Sequence, residues 1–383
     1  MFSEYNFRNY NFRLLFYVLA LNLVGVVVIN SAVGGDRSYV NRQLIGLFGG
    51  LMLAIAISLM DYRKLMKCCG LVYIGCVGIL LAVIVAGQLG GFGGGSRRWI
   101  DLPVIGRFQP SEFVKIGLIF FFSWFLQKNQ EKINRPSVLV NRPSVLVTAA
   151  VLAAVPLALI LKQPDLSTSI VIVFFILCLI YMAGISYKWI AGALAVAVPS
   201  LALVVWLAEH NMMPFLEPYQ INRILAFINP GKYAELNLQQ DNSKMAIGSG
   251  RLYGKGLFND TAISVKNGNF LSEEHTDFIF SVIGEELGFI GCMIVLLLFL
   301  LFVFECLRMA SRARDMAGRL FCTGMAALVG FQSFTNIAVA TGVFPNTGLP
   351  LPFISYGVSS LASLYIGIGI LLNVGLQQRK LEF

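Results

Sequence analysis

The stretch Leu271–Gly291, LSEEHTDFIFSVIGEELGFIG, runs from a polar segment into an apolar one without a break. Glu273, Glu274, His275 and Asp277 stand at its entrance, and Glu285 and Glu286 lie well inside it. On a 3.6-residue helix, Asp277, Ser281 and Glu285 fall on one stripe, with Gly284 and Gly288 beside it and Glu286 turned away. At about 1.5 Å per residue, Glu285 would sit roughly 12 Å deeper than Asp277. Acids at such depth usually face a water-filled cavity or a partner charge, so the stripe is the first candidate for function.

Around that stripe the chain is 57% hydrophobic and 13% charged over 383 residues, with a mean hydropathy of +0.75. That balance excludes a soluble domain and predicts an all-α polytopic membrane protein. Apolar runs long enough to cross a hydrocarbon core of about 30 Å recur along its length. About ten spans are expected, near 12–33, 42–61, 68–88, 110–127, 144–162, 166–184, 188–208, 276–305, 318–343 and 355–376. They form one domain over 1–383, with a long extracytoplasmic loop at 209–275 before the eighth span. No cleavable signal peptide is expected at the start.

A net charge of +9 suits basic loops or an anionic substrate, and nothing points to nucleic acid. With both termini cytoplasmic, the inner loops collect Arg63, Lys64, Lys67, Arg308, Arg312 and Arg314. The outer side still holds Arg42, Arg98, Arg223 and Arg251, an excess that an extracytoplasmic anionic ligand would explain. Seven cysteines without CxxC spacing read as small apolar residues, and two histidines are too few for a His-rich metal site. Chemistry must rest on carboxylates, Arg and Lys.

Arg42 opens the second span, where snorkelling to the interface is an equally good reading. Trp99 is most simply an aromatic anchor at the interface. Pro110 and Glu112 make a sound helix start, and Lys115, three residues on, can pair with Glu112 or face a phosphate. Asp165 after Pro164 reads first as a helix cap. The Gly-rich run Ile247–Gly256, with Arg251 and Lys255, could bring N–H groups and cations to a phosphate, although as a motif it is weak. Gln332 and Asn336 either line the same space or join helices. Pro345, Pro350 and Pro352 mark a break that must be buried or line a cavity.

Taken in order, WIDLPVIGRFQPSEFVKIGLI, QPDLSTS, FINP, AIGSGRLYGKG, HTDFIFSVIGEELGFIG and LPLPFISYG resemble the SEDS family of shape, elongation, division and sporulation proteins, which includes RodA, FtsW and SpoVE. The resemblance spans nearly the whole chain. It implies a ten-span membrane glycosyltransferase that polymerises lipid II into peptidoglycan and works with a class B penicillin-binding protein. By the same resemblance Asp277 is the essential catalytic residue, Trp99 is the family's tryptophan, and Arg42, Arg98, Glu112, Lys115 and Asp165 are its polar cavity residues. One departure is visible: the family's SYGG is SYGV here, with Val358 after Gly357.

The chemistry of the residues agrees with this. Transfer from a lipid pyrophosphate needs a base for a sugar hydroxyl and cations for the departing pyrophosphate. Asp277 is the candidate base, and Arg42, Arg98, Lys115, Arg223 and Arg251 are the candidate pyrophosphate contacts. His275 and Glu285 complete the candidate substrate-binding set. A separation of about 12 Å disfavours a glycosidase-type acid pair of Asp277 and Glu285, and Glu285 is expected to pair internally or shape the cavity. No cofactor is specified; a divalent cation could assist the pyrophosphate, but no spacing defines a site for one. The competing class is a transporter that flips lipid II, which would use the same cationic cavity, although no internal repeat of the transporter kind is visible. Within the family, DYRKL after the second span and the short termini lean toward the RodA-like elongation branch over division or sporulation.

Overall fold

The computed structural model describes residues 10–88, 99–102, 106–130, 143–185, 218–258 and 274–378, with scattered positions between 191 and 207. Helix α1 (Phe12–Ala32) is opened by Asn11, whose side chain accepts from the Leu14 N–H at 3.0 Å. Asp36 caps α2 (Arg37–Ser58) at the Ser38 N–H, so this helix starts at Arg37 and not at 42, and Arg42 lies inside it. Asp61 caps the short α3 (Tyr62–Met66), and α4 (Cys69–Gln88) follows. Strands β1 (Ile100–Leu102) and β2 (Gly106–Phe108) pair antiparallel, a hairpin for which the apolar periodicity holds no signal. Helices α5 (Pro110–Lys128), α6 (Pro143–Lys162) and α7 (Leu166–Met182) come next. The span expected at 188–208 falls largely outside the described residues.

The polar segment before Asp277 is more than a loop. It contains α8 (Pro218–Ile228) and α9 (Ala234–Ser249), and α9 packs on α10 (Ile279–Arg312). The chain then forms α11 (Met316–Ala340), capped by Asp315, and α12 (Val358–Leu376). Among the described residues, six helices are long and apolar enough to cross a membrane: α1, α2, α6, α10, α11 and α12. The apolar windows of α11 and α12 are 72% and 78% buried, against 22% for α2, so α11 and α12 are central and α2 is peripheral. Phe48 and Met52 of α2, like Phe12 and Phe16 of α1, are exposed, as lipid-facing side chains must be. The α2–α12 contact is built on small residues: Gly46 faces Val358 and Leu361, and Gly50 lies against the Tyr365 ring. The departure at Val358 is thus accommodated by a glycine on the facing helix.

Helix α10 is broken at Gly288, where φ is 66° and ψ is −164°. The Gly-rich run satisfies the backbone groups this break releases. The Lys255 and Gly256 N–H groups donate to the Glu285 and Glu286 carbonyls at 2.9 and 3.0 Å. The Phe289 and Ile290 N–H groups donate to the Arg251 and Leu252 carbonyls at 2.8 and 3.2 Å. An apolar medium demands such exchange, since a free peptide group there costs several kcal/mol, on the order of a lost hydrogen bond or more.

Candidate active site

The largest consequence of this arrangement is a cavity of about 680 Å³ where the ends of several elements converge. Tyr39 and Arg42 reach it from α2, Trp99 from the hairpin entrance, and Gln109 and Glu112 from the start of α5. Asp165 and Thr168 come from the start of α7, Arg223 from α8, and His275 to Asp277 from the turn before α10. Thr347 to Pro350 and Tyr356 to Ser360 close the remaining side.

Asp277 is not on the helix that follows it. The carbonyls of residues 275–277 are taken by tertiary partners: Tyr356 N–H donates to His275 at 3.0 Å, Ser355 Oγ to Thr276 at 2.6 Å and Asn336 Nδ2 to Asp277 at 2.8 Å. These bonds hold the turn out of the helix, which begins at Ile279. The expected stripe is therefore divided. Asp277 faces the cavity, Ser281 meets Ser243 of α9 at 2.5 Å, and Glu285 pairs with Lys255 at 2.7 Å. Glu286 accepts from Ser31 of α1 at 2.5 Å.

Gly348 stands between the two charges of the site. Its φ is 70°, and a Cβ there would lie 3.3 Å from Asp277 Oδ2 and 3.9 Å from an Arg223 terminal nitrogen. The same Arg223 nitrogen donates to the Asn346 carbonyl at 3.2 Å. His275 lies against Tyr39 and Tyr356, at 5.1 and 5.7 Å between ring centroids.

A second carboxylate is held on the opposite wall. Lys115 donates to Glu112 Oε1 at 2.8 Å and to Gln332 Oε1 at 2.9 Å, while Ser360 donates to Glu112 Oε2 at 3.0 Å. Glu112 lines the cavity and Lys115 does not, so the lysine lies behind the wall. Asp165 caps α7 by accepting from the Thr168 N–H and hydroxyl at 3.1 and 2.9 Å, and Gln109 donates to it at 3.4 Å. It is both the cap and part of the wall.

Of the sequence candidates, Arg42, Trp99, Glu112, Asp165, Arg223, His275 and Asp277 are brought together. Lys115 is one layer back, and Glu285 and Arg251 are elsewhere: Arg251 is exposed in the run that docks on the α10 break, with φ 51°. Arg98 lies outside the described residues. Sequence reasoning missed Tyr39, Thr168, Thr347, Ser359 and Ser360. Thr168, Ser359 and Ser360 lie just inside helix starts, the one signal that would have drawn attention to them. Among the described residues, no group of three His, Cys, Asp or Glu side chains could hold a metal ion.

Comparison with known proteins agrees with this geometry. The cell cycle protein family that covers FtsW, RodA and SpoVE matches residues 12–380. A probable peptidoglycan glycosyltransferase FtsW of Trichlorobacter lovleyi is 35% identical over 97% of this chain and 94% of its own. The peptidoglycan glycosyltransferase MrdB of Escherichia coli is 33% identical over 96% of this chain and 94% of its own. Two solved structures share the fold. A chain described under "Structural coordination of polymerization and crosslinking by a peptidoglycan synthase complex" has a TM-score of 0.77 at 29% identity, covering 96% of this chain and 97% of its own. The rod shape determining protein RodA of Thermus thermophilus has a TM-score of 0.68 at 28% identity, covering 96% of each chain. A match of this extent, over a chain whose polar end groups converge on one cavity, means that the protein belongs to the FtsW/RodA/SpoVE family, the SEDS proteins.

Proposed function

We propose that the protein polymerises lipid II into peptidoglycan glycan strands, with the reaction in the Asp277 cavity. It is a glycosyltransferase of the SEDS family, and its named relatives are peptidoglycan glycosyltransferases. The observation that carries the site assignment is the carboxylate of Asp277 and the guanidinium of Arg223 flanking Gly348 in a cavity that Arg42 also lines. Asp277 accepts the proton of the attacking sugar hydroxyl as the new glycosidic bond forms. The bond from the donor sugar to the pyrophosphate breaks, and Arg42 and Arg223 balance the charge that leaves with the lipid. Trp99 and the Tyr39–His275–Tyr356 cluster give apolar faces against which sugar rings can rest.

The elongation branch is our reading within the family, supported by DYRKL after α2. A class B penicillin-binding protein is the proposed partner, supported by the similarity to a chain from a synthase complex that polymerises and crosslinks. Ten spans, a single domain and cytoplasmic termini complete the proposal. The test is polymer formation from purified lipid II by the protein with its partner. Asp277→Asn should lose at least about 100-fold in rate, the usual size of a general-base contribution. Undiminished polymer from a folded Asp277→Asn protein would remove Asp277 from the chemistry.

A further inference from the structure

At the far end of α10 from Asp277, a second cavity of about 320 Å³ opens between α1 and α10. Beyond the break at Gly288 the helix runs on to Arg312, roughly 36 Å at 1.5 Å per residue, enough to cross a hydrocarbon core of about 30 Å, so this crevice belongs to the opposite membrane face. Tyr10, Arg13, Glu305, Arg308, Arg312 and Gln378 line it. The one carboxylate among its described lining residues is already engaged: Glu305 accepts from Asn11 Nδ2 at 2.8 Å and pairs with Arg308 at 3.6 Å. Arg13 and Arg312 are both exposed, and among the described residues neither has a carboxylate within salt-bridge distance. Among the described residues, three guanidinium groups against one carboxylate make the crevice cationic, and the N-terminus of α1, with its positive dipole end, enters the same space.

What lies next to the crevice narrows its ligand. Phe16 is one turn along α1 from Phe12, which lines the crevice, and both are exposed at 64% and 68%. Leu300 and Phe304 precede Arg308 at four-residue intervals on α10 and are exposed at 66% and 64%. A cationic recess thus continues directly into two lipid-facing apolar stripes. A soluble anion would use the first and not the second; a lipid with an anionic headgroup uses both.

We propose that this crevice binds the phosphate headgroup of an anionic phospholipid, with its acyl chains along the Phe12–Phe16 and Leu300–Phe304 stripes. The bland alternative is that Arg308 and Arg312 merely offset the C-terminal dipole of α10. That alternative gives Arg13, on another helix, no reason to face them.

The test uses the full-length protein in detergent, titrated with short-chain phosphatidylglycerol, phosphatidylcholine of the same chains, and inorganic phosphate, with bound lipid counted by native mass spectrometry. Phosphatidylglycerol should bind, with the other two far weaker. An Arg13→Ala/Arg312→Ala double variant should bind it about 25-fold more weakly, taking about five-fold per arginine near a lipid surface. Lys64→Ala/Lys67→Ala, which removes two exposed cations outside the crevice, should bind as the wild type does. Equal losses in the two double variants, undiminished binding in the arginine variant, or equal binding of phosphatidylcholine would overturn the proposal. So would inorganic phosphate binding as tightly as the lipid, which would make this a soluble-anion site. Loss of the penicillin-binding protein from the arginine variant with lipid binding intact would give the crevice to that partner instead.

Discussion

Lys115 shows how a single residue can matter to a site it does not touch. It and Glu112 are each about 2% exposed, and the ammonium group is shared between that carboxylate and Gln332. Lys115→Met would leave the Glu112 charge buried with, among the described residues, only Ser360 to answer it. Breaking a buried pair from one side costs about 3–5 kcal/mol, so thermal unfolding in detergent should show a large fall in Tm. Gly348 is the converse case, a residue with nothing to contribute but room. Gly348→Ala adds about 1–2 kcal/mol of left-handed backbone strain and sets a methyl at 3.3 Å from Asp277 Oδ2. The expected result is a folded protein whose polymerisation rate falls at least about ten-fold, measured beside a thermal melt that stays near the wild type.

At the scale of elements, the break in α10 and the Gly-rich run are one unit. Gly288 and Gly254 lie backbone to backbone, both with positive φ, so a Cβ on either meets main-chain atoms of the other. Gly288→Ala should therefore unseat the run from the helix, with faster amide exchange at Lys255 and Gly256 as its signature. This unit was half legible. The apolar runs gave α1, α5 and α7 nearly to the residue, because each is bounded by an Asn, Asp or Pro that opens a helix. Glu285 and Arg251 lie away from Asp277, Glu285 in an internal pair with Lys255, one of the two roles expected for it. Periodicity assumes an unbroken helix, whereas the carbonyls before Ile279 and those around Gly288 are satisfied by residues far along the chain. No local pattern encodes partners such as Ser355 or Asn336. Helices α8 and α9 were hidden for another reason: α8 is amphipathic but far shorter than a span, and α9 is mostly polar.

For the whole molecule, charge predicts orientation. With the Asp277 cavity outside, a fluorescent protein fused after Phe383 should fluoresce in the cytoplasm, and alkaline phosphatase fused within 229–233 should be active. The reverse pattern would invert the proposed topology. Polar residues from distant parts of the sequence meet because α11 and α12 are central and hold the segment between them. Gln332 donates to the Pro350 carbonyl at 2.9 Å, and Asn336 spans the Leu349 and Asp277 carbonyls at 2.7 and 2.8 Å.

That last amide has a mechanical consequence. By clasping both backbones it ties the Asp277 turn to the segment around Leu349, so that parting them costs both hydrogen bonds. A polymerase that advances its product after every addition needs slack somewhere. Any slack therefore comes from elsewhere in the cavity wall, and not from between these two segments.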